Sequence, residues 1–124
     1  MRQPFQKQHE PAIRAPAIVL GLIFLFLVIH LIRLSDPVWD NLVLEYLAFY
    51  FGSFWWSWVT YSLVHGDWAH LAINSFWMLA FGSVVAQRMG ASRFVLFSAI
   101  CAAAGALPYG FSDERVLLVG ASAA

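Results

Sequence analysis

From Ala15 to Ile32 the chain reads APAIVLGLIFLFLVIHLI without a formal charge. A run of that kind, close to the roughly 20 residues a bilayer-crossing helix needs, leaves few folds open. Pro16 suits a first helical turn, and Arg33 is the first charge after the run. The flank Arg33-Leu34-Ser35-Asp36 offers no small-x-small site for a signal peptidase, so the run reads as a retained signal anchor over about residues 15–34. Composition agrees: 61% of the residues are hydrophobic and 11% charged, against about 45–50% and 25% for soluble domains. The bilayer is therefore the expected solvent. Seven acidic residues balance seven basic ones, which gives no reason to expect a nucleic-acid partner. The single Cys101 excludes an intramolecular disulfide.

Two further stretches predict spanning helices. Residues 68–87 are apolar except for His70, Asn74, two serines and Gln87. Residues 94–111 carry Ser98, Ala102, Ala106 and Gly110 at spacing four, a smooth strip that predicts close approach of another helix. Pro108 should kink or end that helix. A fourth apolar segment starts at about residue 119. The fold class expected is an all-α membrane protein, a multi-span helical bundle with three complete spans and the start of a fourth.

Ser35 to Gly66 is ambiguous, because Leu42 to Val64 has Glu45 as its only charge. Orientation decides against a span there. If the stretch does not cross, Arg2, Lys7, Arg14, Arg88 and Arg93 all lie on one side, leaving Arg33 and Arg115 on the other. If it crosses, that bias disappears. Residues 1–14 are accordingly a cytoplasmic N-terminal segment. Ser35 to Gly66 is a large external loop partly in the interface, with Trp39, Tyr46, Tyr50, Trp55, Trp56 and Trp58 at headgroup level.

Chemistry gathers at the start of the second span, in SLVHGDWAHLAINSFW. His70 and Asn74 are four apart and so share a helix face, with His65 in the loop feeding the helix. Polar side chains in a span are costly unless they face the bundle or a water-filled cavity, which makes these residues functional candidates. Hydrogen bonding to neighbouring helices explains the pair equally well. Two histidines five apart with no carboxylate placed as in a zincin do not make a metal site, and no metal or other cofactor is expected. The second candidate is GASAA, Gly120 to Ala124. Ser122, between small residues at the start of an apolar segment, has the setting of an exposed nucleophile whose own N–H points at a developing oxyanion. Taken alone, Gly-Ala-Ser is more often a packing element of membrane helices.

Together, HxxxxHxxxN from His65 to Asn74, the aromatic loop before it, the basic turn QRMGASRF after it and the GxS at Gly120–Ser122 resemble the rhomboid family of intramembrane serine proteases. The resemblance runs from about Pro16 to Ala124, making residues 15–124 a partial rhomboid domain. It implies a six-helix core around a water-filled cavity and cleavage of transmembrane protein substrates by a Ser-His dyad. Ser122 would be the nucleophile, with His70 and Asn74 helping the Ser122 N–H bind the oxyanion. His65 would be structural, and Gly120 would let the serine sit close to its neighbours. The implied location is a bacterial inner (plasma) membrane, with the lipid bilayer and transmembrane substrates as partners.

The chain departs from the family pattern at Ala123, where Gly usually follows the nucleophile, at Trp56-Ser57 in place of Trp-Arg, and at Ala86 in place of an acidic residue. The family's catalytic histidine belongs to a sixth helix downstream of Ala124, so the 124-residue chain is expected to be inactive by itself. The alternatives are a catalytically inactive rhomboid-like protein that binds transmembrane clients and a small multi-pass scaffold. The charge bias predicts that Gln3→Cys and Asp67→Cys label from opposite membrane faces with an impermeant thiol reagent. Labelling of both from one face would exclude this topology.

Overall fold

The computed structural model of the protein describes residues 15–111 and 117–121. Its first helix, α1 (Ala17–Ser35), follows Pro16 and stops where Pro37 forbids Asp36 the helical region. Asp36 adopts an extended conformation (φ −161°, ψ 142°), and its carboxylate accepts the Val38 N–H at 2.7 Å, capping α2 (Pro37–Leu47). One residue thus ends α1 and starts α2. At 1.5 Å per residue α2 is only about 16 Å long, half the hydrocarbon thickness. The chain then leaves helical geometry at Ala48, turns at Gly52 and makes only a short α3 (Ser57–Thr60) and a 3₁₀ turn at Tyr61–Leu63. Nothing between residues 36 and 67 is a helix long enough to span.

The second span runs from Trp68 to Met89 in three pieces. Asp67 caps α4 (Trp68–Trp77) by accepting the His70 N–H at 2.8 Å. A π turn at Met78–Gly82 leads into α5 (Ser83–Met89), and Gly90, at φ 81°, ends it. The third span, α6 (Ala91–Gly110), keeps Pro108 inside its last turn and closes two residues later. With α1, these make three helices, among the described residues, long and apolar enough to cross a membrane. Large apolar side chains such as Phe24, Leu31, Phe76, Phe81, Leu96 and Ile100 point outward. That is the pattern of helices whose solvent is hydrocarbon. The architecture is a helical bundle of the expected class.

Among the described residues, two buried clusters hold it. Toward one end Val19, Ala86 and Phe94 join the three spans. At the other, Phe49, Tyr61 and Leu118 pack against Ala102 and Ala106, and the Tyr61 hydroxyl donates to the Ala102 carbonyl at 2.9 Å. Among the described residues, the smooth strip of α6 therefore receives the aromatic loop. Trp58 is half-buried, with its ring against Gly110, where an added Cβ would lie 3.1 Å from Trp58 Cζ2. Trp39 and Trp55 do project from the loop. Between the three spans lies a cavity of about 690 Å³, walled largely by apolar side chains and carrying Asn74 and Ala121 in its lining.

Candidate functional site

Local sequence sets the second-span residues. The Asp67 cap fixes where α4 begins, so His70 falls in its first turn and Asn74 one turn deeper. Asn74 is 4% exposed and faces the interior, where Nδ2 has no hydrogen-bond partner among the described residues. An amide donor buried in this way is poised for an acceptor that the described residues do not supply. His70 Nδ1 accepts from the Gly66 N–H at 3.5 Å. A neutral imidazole that accepts at Nδ1 carries its proton on Nε2, so Nε2 is its donor edge.

The C-terminal segment comes to this edge. Leu118 pairs with Phe49 in an antiparallel bridge, through N–H···O bonds of 2.8 and 3.2 Å, and the Gly120 N–H donates to the Tyr61 carbonyl at 2.9 Å. Gly120 sits at φ 98°, where L side chains are strained, and a Cβ built on it would collide with His70 Cε1 and Nε2 and come within 3.3 Å of Asn74 Nδ2. Gly120 is thus required twice, by conformation and by space. Ala121 and Asn74 line the same cavity. The structure brings together His70, Asn74 and Gly120, from segments fifty residues apart; Ser122 lies outside the described residues.

His65 packs behind them. It is fully buried, with its ring 5.2 Å from that of His70 and 4.8 Å from that of Phe26, and Nδ1 lies 3.3 Å from the Leu63 carbonyl. Burial, then the neighbouring His70, push its imidazole down to about 4 against the raising effect of the Leu63 bond, with smaller contributions from His30 and Arg33. It is therefore neutral at pH 7. His30 of α1 is 2% exposed and meets the edge of Trp68, with ring centroids 4.6 Å apart.

Sequence reasoning left two contributors without a role. Asp67 is one, and its signal was present: an Asp immediately before an apolar helix is a cap signature. The other is Arg33, whose Nε donates to Asp40 Oδ1 at 2.7 Å while Nη1 donates to the His65 carbonyl. Nothing in the sequence pairs residues 33 and 65.

The close contact at Gly120 predicts that Gly120→Ala destabilises the protein by about 1–3 kcal/mol, from positive-φ strain and overpacking. Gly21→Ala in α1, where an added Cβ meets nothing within 4 Å, should be neutral or stabilise by up to about 1 kcal/mol. Unfolding in mixed micelles measures both. Equal effects would mean that Gly120 does not abut His70.

The rhomboid domain, compared as a family, matches residues 52–124, more than half of the chain. Curated proteins, searched with the same sequence, give no match. The matched region contains the loop's second half, the two spans that follow it, and His70, Asn74 and Gly120 at their meeting point. With its three apolar spans, the protein is a multi-pass integral membrane protein, and it belongs to the rhomboid family, which commonly contains serine proteases.

Proposed function

We propose that the chain carries the nucleophile and oxyanion half of an intramembrane serine endopeptidase that cleaves transmembrane protein substrates. The observation that carries this reading is the contact of Gly120 with the donor edge of His70 and with the Asn74 amide. Covalent geometry keeps the Cα of residue 122 within about 7 Å of that of Gly120. Ser122 Oγ attacks the scissile carbonyl, and its proton passes to a histidine. The tetrahedral oxyanion accepts from the Ser122 N–H, His70 Nε2–H and Asn74 Nδ2–H, donors worth about 2.7–4 kcal/mol apiece in a preorganised, water-poor site. Collapse expels the amine, which takes the proton from the histidine, and water then hydrolyses the acyl-serine.

The histidine that serves as base is proposed to lie on a sixth span, downstream of Ala124. The imidazoles among the described residues are committed otherwise: His30 and His65 are buried among aromatic rings, and His70 turns Nε2 toward Gly120. A base needs an accepting nitrogen within reach of the serine hydroxyl. Residues 15–124 are read as the first part of the rhomboid domain, in an inner (plasma) membrane of bacterial type with residues 1–14 cytoplasmic.

In the protein with its downstream spans, Ser122→Ala is expected to abolish cleavage of a transmembrane substrate in liposomes without unfolding the protein. Asn74→Ala should lower kcat by about 10²–10³-fold and leave KM nearly unchanged. The 124-residue chain should not cleave. Cleavage surviving Ser122→Ala, or appearing in the 124-residue chain, would refute the assignment. Loss of client binding rather than of turnover would point to a non-catalytic member of the family.

A further inference from the structure

Four rings fasten α1 to the start of the second span. Phe26 and His30, one turn apart on α1, meet His65 and Trp68 respectively, at ring-centroid distances of 4.8 and 4.6 Å. His65 also lies ring to ring with His70 at 5.2 Å. Two of the four rings in this clasp are imidazoles, His30 and His65, both buried and neither used by the chemistry proposed above.

The nitrogens of His65 fix the charge that this packing tolerates. Nδ1 lies 3.3 Å from the Leu63 carbonyl, which can only accept, so the ring's proton sits on Nδ1 and Nε2 carries a lone pair. A second proton would make Nε2 a donor, yet that atom is buried and has no hydrogen-bond partner among the described residues. Neither nitrogen of His30 has one either. The charged and titratable groups around His65 offer a cation no compensation. From α1 come His30 and the Arg33 guanidinium, which donates to the His65 carbonyl, and from α4 comes His70. Of the nearby carboxylates, Asp40 of α2 is paired with Arg33, and Asp67 accepts the His70 N–H. The Tyr61 hydroxyl is engaged on Ala102, and residues 117–121 carry no charge.

We propose that this clasp is an acid-released latch, which holds α1 against the turn before α4 while His65 is neutral and opens when His65 takes up a proton. Opening frees the ring toward water and loosens the turn whose Tyr61 carbonyl holds the Gly120 N–H. In the closed clasp, burial and then His70 hold the imidazole at about 4, below its ordinary 6.5, so the closed form binds the proton more weakly than the open one. The equilibrium for opening therefore rises about tenfold for each pH unit of acidification between 6.5 and 4, about 300-fold altogether, and levels off below that window. The effect on cleavage rests on the proposed role of the Gly120 segment; the latch does not.

The test uses the protein with its downstream spans, in micelles, labelled with ¹⁵N and followed from pH 7.5 to 4. The His65 ring, assigned through its connection to the Val64 and Gly66 backbone signals, should remain neutral at pH 5.5, where an ordinary imidazole is about nine-tenths charged. The Val64 amide, which donates to the Tyr61 carbonyl at 3.1 Å, reports the turn by hydrogen exchange. Its protection, corrected for intrinsic exchange, should fall about 100-fold between pH 6.5 and 4.5 and recover at neutral pH. In His65→Phe, which keeps a ring in the clasp without a titrating nitrogen, protection should not change with pH. If that variant does not fold, Phe26→Ala supplies the second arm: it opens one side of the clasp, and the His65 titration should move up toward 6.5. Ionisation of His65 near 6.5 with Val64 still protected, protection that falls equally in His65→Phe, or a titration unmoved in Phe26→Ala overturns the proposal. Cleavage that persists while Val64 loses protection upholds the latch and separates it from the catalytic site.

Discussion

Gly120 meets the His70 ring at a distance that no other residue permits, and most of what surrounds it serves to bring the two together. The Tyr61 carbonyl holds the Gly120 N–H, and the Phe49–Leu118 bridge holds the segment before it. The Asp67 cap sets the height of His70 on its helix. Each of these bonds satisfies backbone groups that would be expensive to leave unpaired near the bilayer. A loop that must satisfy its own polar groups thus becomes the frame of a site.

The frame depends in turn on the small residues of α6. Tyr61 is completely buried against Ala102 and Ala106, its hydroxyl on the Ala102 carbonyl. Larger side chains on that strip would lift the Tyr61 turn away from the bundle, and with it the carbonyl that holds Gly120. The loop is also tied to α1 through Arg33, and to itself through the Trp56 indole, which donates to the Tyr46 carbonyl at 2.8 Å. Ser57 is fully buried and bonded to Ser53 Oγ at 2.8 Å and to the Phe54 carbonyl. Short local bonds and one arginine from a neighbouring helix thus order the loop.

Hydropathy made the three spans legible, since a charge-free run near 20 residues has few other uses. Helical spacing put His70 and Asn74 on one face, but which face was beyond the sequence; only the burial of Asn74 shows that it points inward. The strip at Ser98, Ala102, Ala106 and Gly110 signalled close packing without identifying the partner, because small residues accept an aromatic loop as readily as a helix. The contact of Trp58 with Gly110 was hidden for the same reason: an aromatic residue reads as interfacial whether or not it also fills a groove over glycine. The π turn left no pattern to read, and the Arg33 link joins residues distant in sequence through a backbone carbonyl, which has no sequence signature. The GxS motif was legible up to Gly120, whose conformation and contacts explain the glycine; Ser122 lies outside the described residues.

The central claim, that the second span's polar face meets the C-terminal glycine, is open to one distance measurement. In the 124-residue chain asparagine occurs only at positions 41 and 74, so in that chain Asn41→Gln leaves Asn74 as the sole site for a side-chain ¹⁵N label. Solid-state dipolar recoupling in lipid bilayers, with ¹³Cα-glycine as the second label, then reports whether a glycine lies against the Asn74 amide. Van der Waals contact at about 4 Å is expected, and the signal should vanish in Gly120→Ser. Absence of coupling in the parent protein, or a coupling that persists without Gly120, would contradict the account.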